Sequence, residues 1–117
     1  EIFIYKNGVA ENLNNFIKEN SIPPDVFYSH SAPQNYRAAI IGGSVVKNID
    51  SKYFEHYFFA DFLSNELFSY DFNKNELFIY PIGDINSNIS SVEIAPNKID
   101  TVLISATSGN LIEIKLP

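Results

Sequence analysis

The chain has no cysteine, no methionine and no tryptophan, and only eight Lys and Arg against fourteen Asp and Glu. Each shortage excludes something. Without cysteine there are no disulfides, no thiolate nucleophile and no sulfur-ligated metal, although a cysteine-free protein is compatible with either side of a membrane. A formal net charge of -6 with scattered cations argues against a nucleic-acid partner, because affinity for a phosphate backbone comes mostly from clustered Lys and Arg. No apolar run approaches the ~18 residues of a membrane span, and no basic start followed by an apolar stretch marks a secretion signal. With no methionine anywhere, a chain opening Glu1-Ile2-Phe3 is expected to be a processed or excised piece of something longer.

What is present is hydrophobic alternation. A chain of 117 residues with 45% hydrophobic side chains is long enough to bury one core. From residue 38 onward the pattern has period two between turn residues, which predicts strands near 39–46, 56–61, 66–72, 76–82, 89–95, 101–106 and 110–116. Inside this run a phrase recurs: Asn65-Glu66-Leu67-Phe68-Ser69-Tyr70 returns ten residues later as Asn75-Glu76-Leu77-Phe78-Ile79-Tyr80. The polar Asn73-Lys74-Asn75 between them predicts an antiparallel hairpin, since Asn tolerates positive φ. Phe68, Tyr70 and Phe72 fall on one side of their strand, and Phe78 and Tyr80 are expected to continue that aromatic side.

The segment before residue 38 differs. Glu1 to Tyr5 is a short strand candidate and Asn7-Gly8 a turn. Val9, Leu13, Phe16 and Ile17 recur at helical spacing, so one short amphipathic helix is predicted, stopped by Pro23-Pro24. The long connection that follows, through His30 and Tyr36 to Arg37, is the loop most suited to chemistry.

Many short strands with little helix predict a sandwich, a barrel or propeller blades. The four strands over 39–82 match the ~40 to 50 residues of one propeller blade, and a second meander starting at 89 has three strands. The expected fold is therefore all-β, about two antiparallel four-stranded blades with one short N-terminal helix. Residues 1–37 hold a strand, the helix and an inter-blade loop, residues 38–84 a penultimate blade, and residues 85–117 an incomplete last blade.

"RAAIIGGSVV" followed by "KYFEHYFFADFLSNELFSYDF" resembles the glucose/sorbosone dehydrogenase family of six-bladed β-propellers, and "NISSVEIAPNKIDTVLISATSGNLIEIKLP" is similar to that family's closing blade. The resemblance covers residues 26 to 117 and rests on the order and spacing of blade motifs. It implies C-terminal blades of a periplasmic or secreted sugar dehydrogenase that uses pyrroloquinoline quinone (PQQ), often with calcium, and a His as general base on the sugar hydroxyl. Neither His30 nor His56 sits in the motif that carries that base, so no catalytic residue is assigned; packing or exposure is expected of His56.

The quinone bears three carboxylates, for which relatives supply a Lys and two Arg. The matching positions here are the neutral Ser64, Asn88 and Ser90, with Arg37 or Lys47 as compensating cations. Arg37, Ser64, Asn88 and Ser90 are thus the candidate cofactor-binding residues. No metal set is assigned: Asp84, Asn86 and Asn88 alternate in a way that suits either an ion or, more simply, an Asx-rich turn. Three functions follow, namely a quinone-dependent oxidation of a small sugar, a non-catalytic propeller module binding carbohydrate or protein, and an independent small β domain. The partners expected are a sugar or the remaining blades of the same propeller.

Overall fold

The structure, a computed structural model, describes residues 3–6, 9–12, 22, 24–28 and 37–117. Strand β1 (Phe3–Lys6) pairs antiparallel with β2 (Val9–Asn12), with Lys6 opposite Val9 and Phe3 opposite Asn12. This corrects the predicted helix at its start: Val9 to Asn12 is the second arm of a hairpin. An Asn-Gly pair between two short apolar runs is a strong hairpin signal, and cross-strand bonding to β1 outweighs a helical spacing supported by a single apolar position in these four residues. The rest of that predicted helix, residues 13–20, lies outside the described residues, and no helix occurs among those described.

Four strands follow as a meander: β3 (Ile40–Val45), β4 (His56–Asp61), β5 (Glu66–Asp71) and β6 (Glu76–Pro81), in that order across one antiparallel sheet. A second antiparallel sheet holds β7 (Ile89–Ile94), β8 (Thr101–Ala106) and β9 (Leu111–Lys115). All seven coincide with the predicted spans to within one residue at each end.

The repeated phrase is longer than six residues and encodes turns. It begins one turn earlier, as Asp-Phe-x-x-Asn-Glu-Leu-Phe-x-Tyr at 61–70 and 71–80. Asp61 Oδ1 accepts the amides of Leu63 and Ser64, both at 2.9 Å. Asp71 Oδ1 accepts those of Asn73 at 2.9 Å and Lys74 at 3.2 Å. Asn65 (φ 54°) and Asn75 (φ 55°) then take the left-handed conformation that returns the chain. Asn adopts it more readily than most residues because its short amide bonds locally.

A four-residue loop has an even count, and this decides which face each side chain reaches. Ser69 lies opposite Phe78 and Leu67 opposite Tyr80. Phe78 and Tyr80 therefore share the face of Leu67 and Ser69, the reverse of the expected continuation of the Phe68 and Tyr70 side. Phe68 and Tyr70 turn to the other face, where they cluster with Phe59.

The main core lies between the two sheets. Phe58 and Leu67 from the first sheet meet Ile89, Val92, Val102 and Ile104 from the second, each at most 1% exposed. Burying side chains of this size contributes about 1.5 to 3 kcal/mol each. Where β3 meets the second sheet, Gly43 sets the distance: a Cβ there would stand 2.0 Å from the Phe58 carbonyl oxygen and 3.3 Å from Val92 Cβ. A β-bulge between Ile41 and Ser44 accompanies this approach. The first strands of the two sheets, β3 and β7, thus pack against one another. Residues 82–88 carry the chain from β6, the far edge of the first sheet, back to β7, with Ile82 and Ile85 packed on the core.

Candidate functional site

The end of the first sheet where β3 begins and β4 gives way to β5 brings together Arg37, Asp61 and Glu66. Glu66 opens β5 immediately after the left-handed Asn65, which aims its carboxylate towards the segment leading into β3. There Arg37, the single arginine of the chain, forks onto it: Nε donates to Oε2 at 2.6 Å and Nη2 to Oε1 at 2.8 Å. Ser64 Oγ donates to the same Oε2 at 2.8 Å. The guanidinium also lies over the rings of Phe68 and Tyr28, at 5.4 and 5.8 Å from their centroids. Its pKa is raised, first by the hydrogen bonds to Glu66.

Asp61 is the second acid. Its Oδ2 accepts the Tyr28 hydroxyl at 2.7 Å and the Ala39 amide at 3.0 Å, while Oδ1 caps the turn. Burial acts to raise its pKa, but the donors outweigh burial, the Ser64 amide foremost and the Tyr28 hydroxyl next, and the carboxyl sits below its ordinary range. Tyr28 moves the opposite way, its ionisation pushed well above the usual phenol range by burial and by the neighbouring Asp61.

Beside this charged corner the outer face of the first sheet is aromatic. Phe59 stacks on Phe68 with centroids 5.0 Å apart, Tyr28 stacks on Phe68 at 5.8 Å, and Tyr57 stacks on Phe59 at 5.7 Å. A groove of about 300 Å³ runs along these rings, walled by Val26, Tyr28, Ile40, Tyr57, Tyr70 and Phe72. Its hydroxyls are engaged: Tyr28 with Asp61, Tyr70 with Asn75 Oδ1 at 3.0 Å, and Tyr57 accepting the Gly43 amide at 3.0 Å. Ile40 is 59% exposed and Phe72 46%. The groove offers ring faces and aliphatic surface.

At the opposite end of the sheet, His56 is buried between Asp71 and Ser69. Nε2 lies 3.3 Å from Asp71 Oδ2 and Nδ1 3.4 Å from Ser69 Oγ, which meets the Tyr80 hydroxyl at 3.0 Å. The order Asp-His-Ser is that of a nucleophilic triad, but Ser69 is fully buried inside the core face and no carbonyl can reach it. The ring packs instead, stacked on Phe78 and edge-on to Tyr53, as expected of His56.

Of the sequence-assigned residues, Arg37 and Ser64 meet on Glu66. Asn88 sits in the neighbouring loop, donating Nδ2 to the Phe62 carbonyl at 2.7 Å. Ser90 stands apart on β7, donating to the Ser105 carbonyl at 3.1 Å. Asp84 Oδ1 accepts the Asn86 amide at 2.8 Å, the bond of an Asx turn. Among the described residues no group of three or more His, Asp or Glu is placed to hold a metal. His30, Tyr36 and the loop around them lie outside the described residues. Reasoning from sequence missed Glu66, Asp61 and Tyr28 as the partners that organise this corner; a lone arginine close before a strand, with acids at both ends of the next turn, was the available signal.

For a quinone with three carboxylates these positions offer one guanidinium, already forked onto Glu66, and three neutral groups already bonded within the chain. These four positions do not by themselves fit that cofactor. Comparison with models of known families, with characterised proteins and with solved structures finds no match to this chain.

Proposed function

We propose that the chain forms two neighbouring blades of a β-propeller and works as a binding scaffold, taking an apolar protein surface along its aromatic flank, rather than as a quinone-dependent sugar dehydrogenase. The observation that carries the reading is the path from β6 to β7. Each sheet is a meander in chain order, and residues 82–88 return from the last strand of the first sheet to place β7 beside β3. This is how successive blades repeat an inner-to-outer order around a propeller axis.

The nature of the ligand follows from the groove. A sugar ring needs hydrogen-bonding groups beside its stacking surface, and the tyrosine hydroxyls here are engaged with Asp61, Asn75 and the Gly43 amide. Half-buried Tyr28 and Tyr57 rings beside exposed Ile40 and Phe72, with few free polar groups, match the centre of a protein interface. A neighbouring blade is the simplest occupant of that kind.

One observation favours a second reading. The outer face of the three-stranded sheet carries Ser91, Glu93, Ser105, Glu113 and Lys115 beside Leu103 and Leu111, opposite the buried Val92 and Ile104 and the half-buried Ile114, a mainly apolar-in, polar-out alternation as in a sheet that ends in water. That suits a self-contained two-sheet domain. An open flank predicts that an apolar fluorescent dye binds the chain and that Ile40→Asp, in the groove wall, weakens it several-fold; a closed domain binds no dye.

The dehydrogenase alternative is tested directly by adding pyrroloquinoline quinone and calcium, then aldoses with a redox dye. The scaffold reading expects no change in the quinone spectrum and no dye reduction. Aldose-dependent turnover would overturn it.

A further inference from the structure

The two packed sheets have four edges, and three of them carry devices that discourage another strand from adding. β3 and β7 are each interrupted by a bulge, between Ile41 and Ser44 and between Ile89 and Ser91. β9 carries Glu113 and Lys115. Bulges and edge charges are the usual protections, because an unpaired row of amides and carbonyls is otherwise a template for pairing.

β6 has neither. Between Glu76 and Pro81 it reads Leu77-Phe78-Ile79-Tyr80, with no charge, no bulge and regular pairing to β5 on its inner side. Leu77, Phe78 and Ile79 are 39%, 38% and 46% exposed, so apolar surface is offered on both faces of the edge. β6 is also the strand of its sheet farthest in order from β3, which packs on β7, and among the described residues no strand pairs with its outer edge.

We infer that β6 is a self-association edge, which pairs antiparallel with β6 of a second copy of this chain and joins two four-stranded sheets into one. Charge placement selects the partner and the direction. The strand has one charged residue, at its first position. Antiparallel pairing centred on Ile79 sets Leu77 against Pro81 of the other copy and Phe78 against Tyr80, so opposite side chains share a face, with the two Glu76 carboxylates about 20 Å apart, beyond the screening length at physiological salt. Parallel pairing would set like charges side by side. The antiparallel arrangement is two-fold and isologous, so it closes at a dimer. Pro81, lacking an amide donor, ends the ladder at each side.

An edge of six residues buries less than a standard interface, so a weak dimer is expected, half-formed at roughly tens of micromolar. Sedimentation velocity of the whole chain from about 5 to 300 µM tests this range. The expected result is a reversible monomer–dimer equilibrium that Ile79→Lys weakens at least about tenfold, while Leu111→Lys on the β9 edge changes it less than twofold. Circular dichroism and thermal melting identify any variant that fails to fold. In the unaltered chain, hydrogen exchange of alternate amides in 77–80 should slow with protein concentration, a readout independent of mutation. A monomer throughout the range, open-ended aggregation, or a dimer unaffected by Ile79→Lys but lost in Ile40→Asp would each overturn the inference.

Discussion

Asn65 and Asn88 hold the two sheets together by reaching into each other's loops. Asn65 Nδ2 donates to the Ser87 carbonyl at 2.7 Å and its Oδ1 accepts the Ile89 amide at 3.1 Å, while Asn88 Nδ2 donates to the Phe62 carbonyl at 2.7 Å. Asn65 also has positive φ, so one side chain turns the β4–β5 hairpin and pins the start of β7. Asn65→Gly keeps the backbone and loses both bonds, leaving the amide of the fully buried Ile89 without its side-chain acceptor. Chemical denaturation should show a loss of about 1 to 3 kcal/mol. Asn65→Ala should cost about 1 kcal/mol more, for the left-handed conformation.

Adjacent glycines should behave oppositely. Gly43→Ala drives a methyl into the Phe58 carbonyl, 2.0 Å from where the Cβ would stand, so β3 must move off β4 and β7. A loss of about 3 kcal/mol or more is expected, as for an overpacked core. Gly42→Ala meets nothing closer than the Tyr57 hydroxyl at 3.6 Å, and its midpoint of thermal unfolding should change little.

Acid should expose Asp61. Its folded pKa lies below the ordinary value, so its stabilising contribution is complete above the unfolded value of about 3.9 and is lost as pH falls through and below it. Tyr28→Phe removes the hydroxyl that donates to Oδ2 at 2.7 Å. The variant should be less stable than the original chain at neutral pH, by about 1 to 2 kcal/mol. The gap should narrow near pH 3, where protonation of Asp61 begins to weaken that bond in the original chain, the variant having none to lose. Denaturation curves at the two pH values decide.

Arg37→Lys keeps the charge and loses the fork onto Glu66. Because the pair is partly exposed, 22% and 10% by side chain, solvent screening limits the effect to about 1 kcal/mol, with roughly twice that for Arg37→Ala. Double-mutant cycles with Glu66→Gln should return a coupling energy of similar size.

Much of this architecture is legible in the residues because local signals agree. Strand spans follow from alternation bounded by Asp, Asn and Gly, and the ten-residue recurrence marks two identical turns as soon as Asp61 and Asp71 are included in it. What was lost depended on geometry that periodicity does not carry. The facing of Phe78 and Tyr80 turns on one loop's count being even. Val9 to Asn12 took the strand because a partner was available across Asn7-Gly8. Arg37 finds Glu66 from 29 positions away, a pairing that only the sheet brings together. Ser64, Asn88 and Ser90 were read as ligand groups, and each is bonded within the chain.

The account depends on β7 lying against β3 as the first strand of the next blade. In a methyl-labelled sample, nuclear Overhauser spectroscopy should give strong cross-peaks from the Val92 methyls to the Gly43 α-protons, and from the Ile89 amide to the Asn65 side chain. Their absence, with β7 instead showing cross-strand contacts to β6, would contradict the blade arrangement and the scaffold reading built on it.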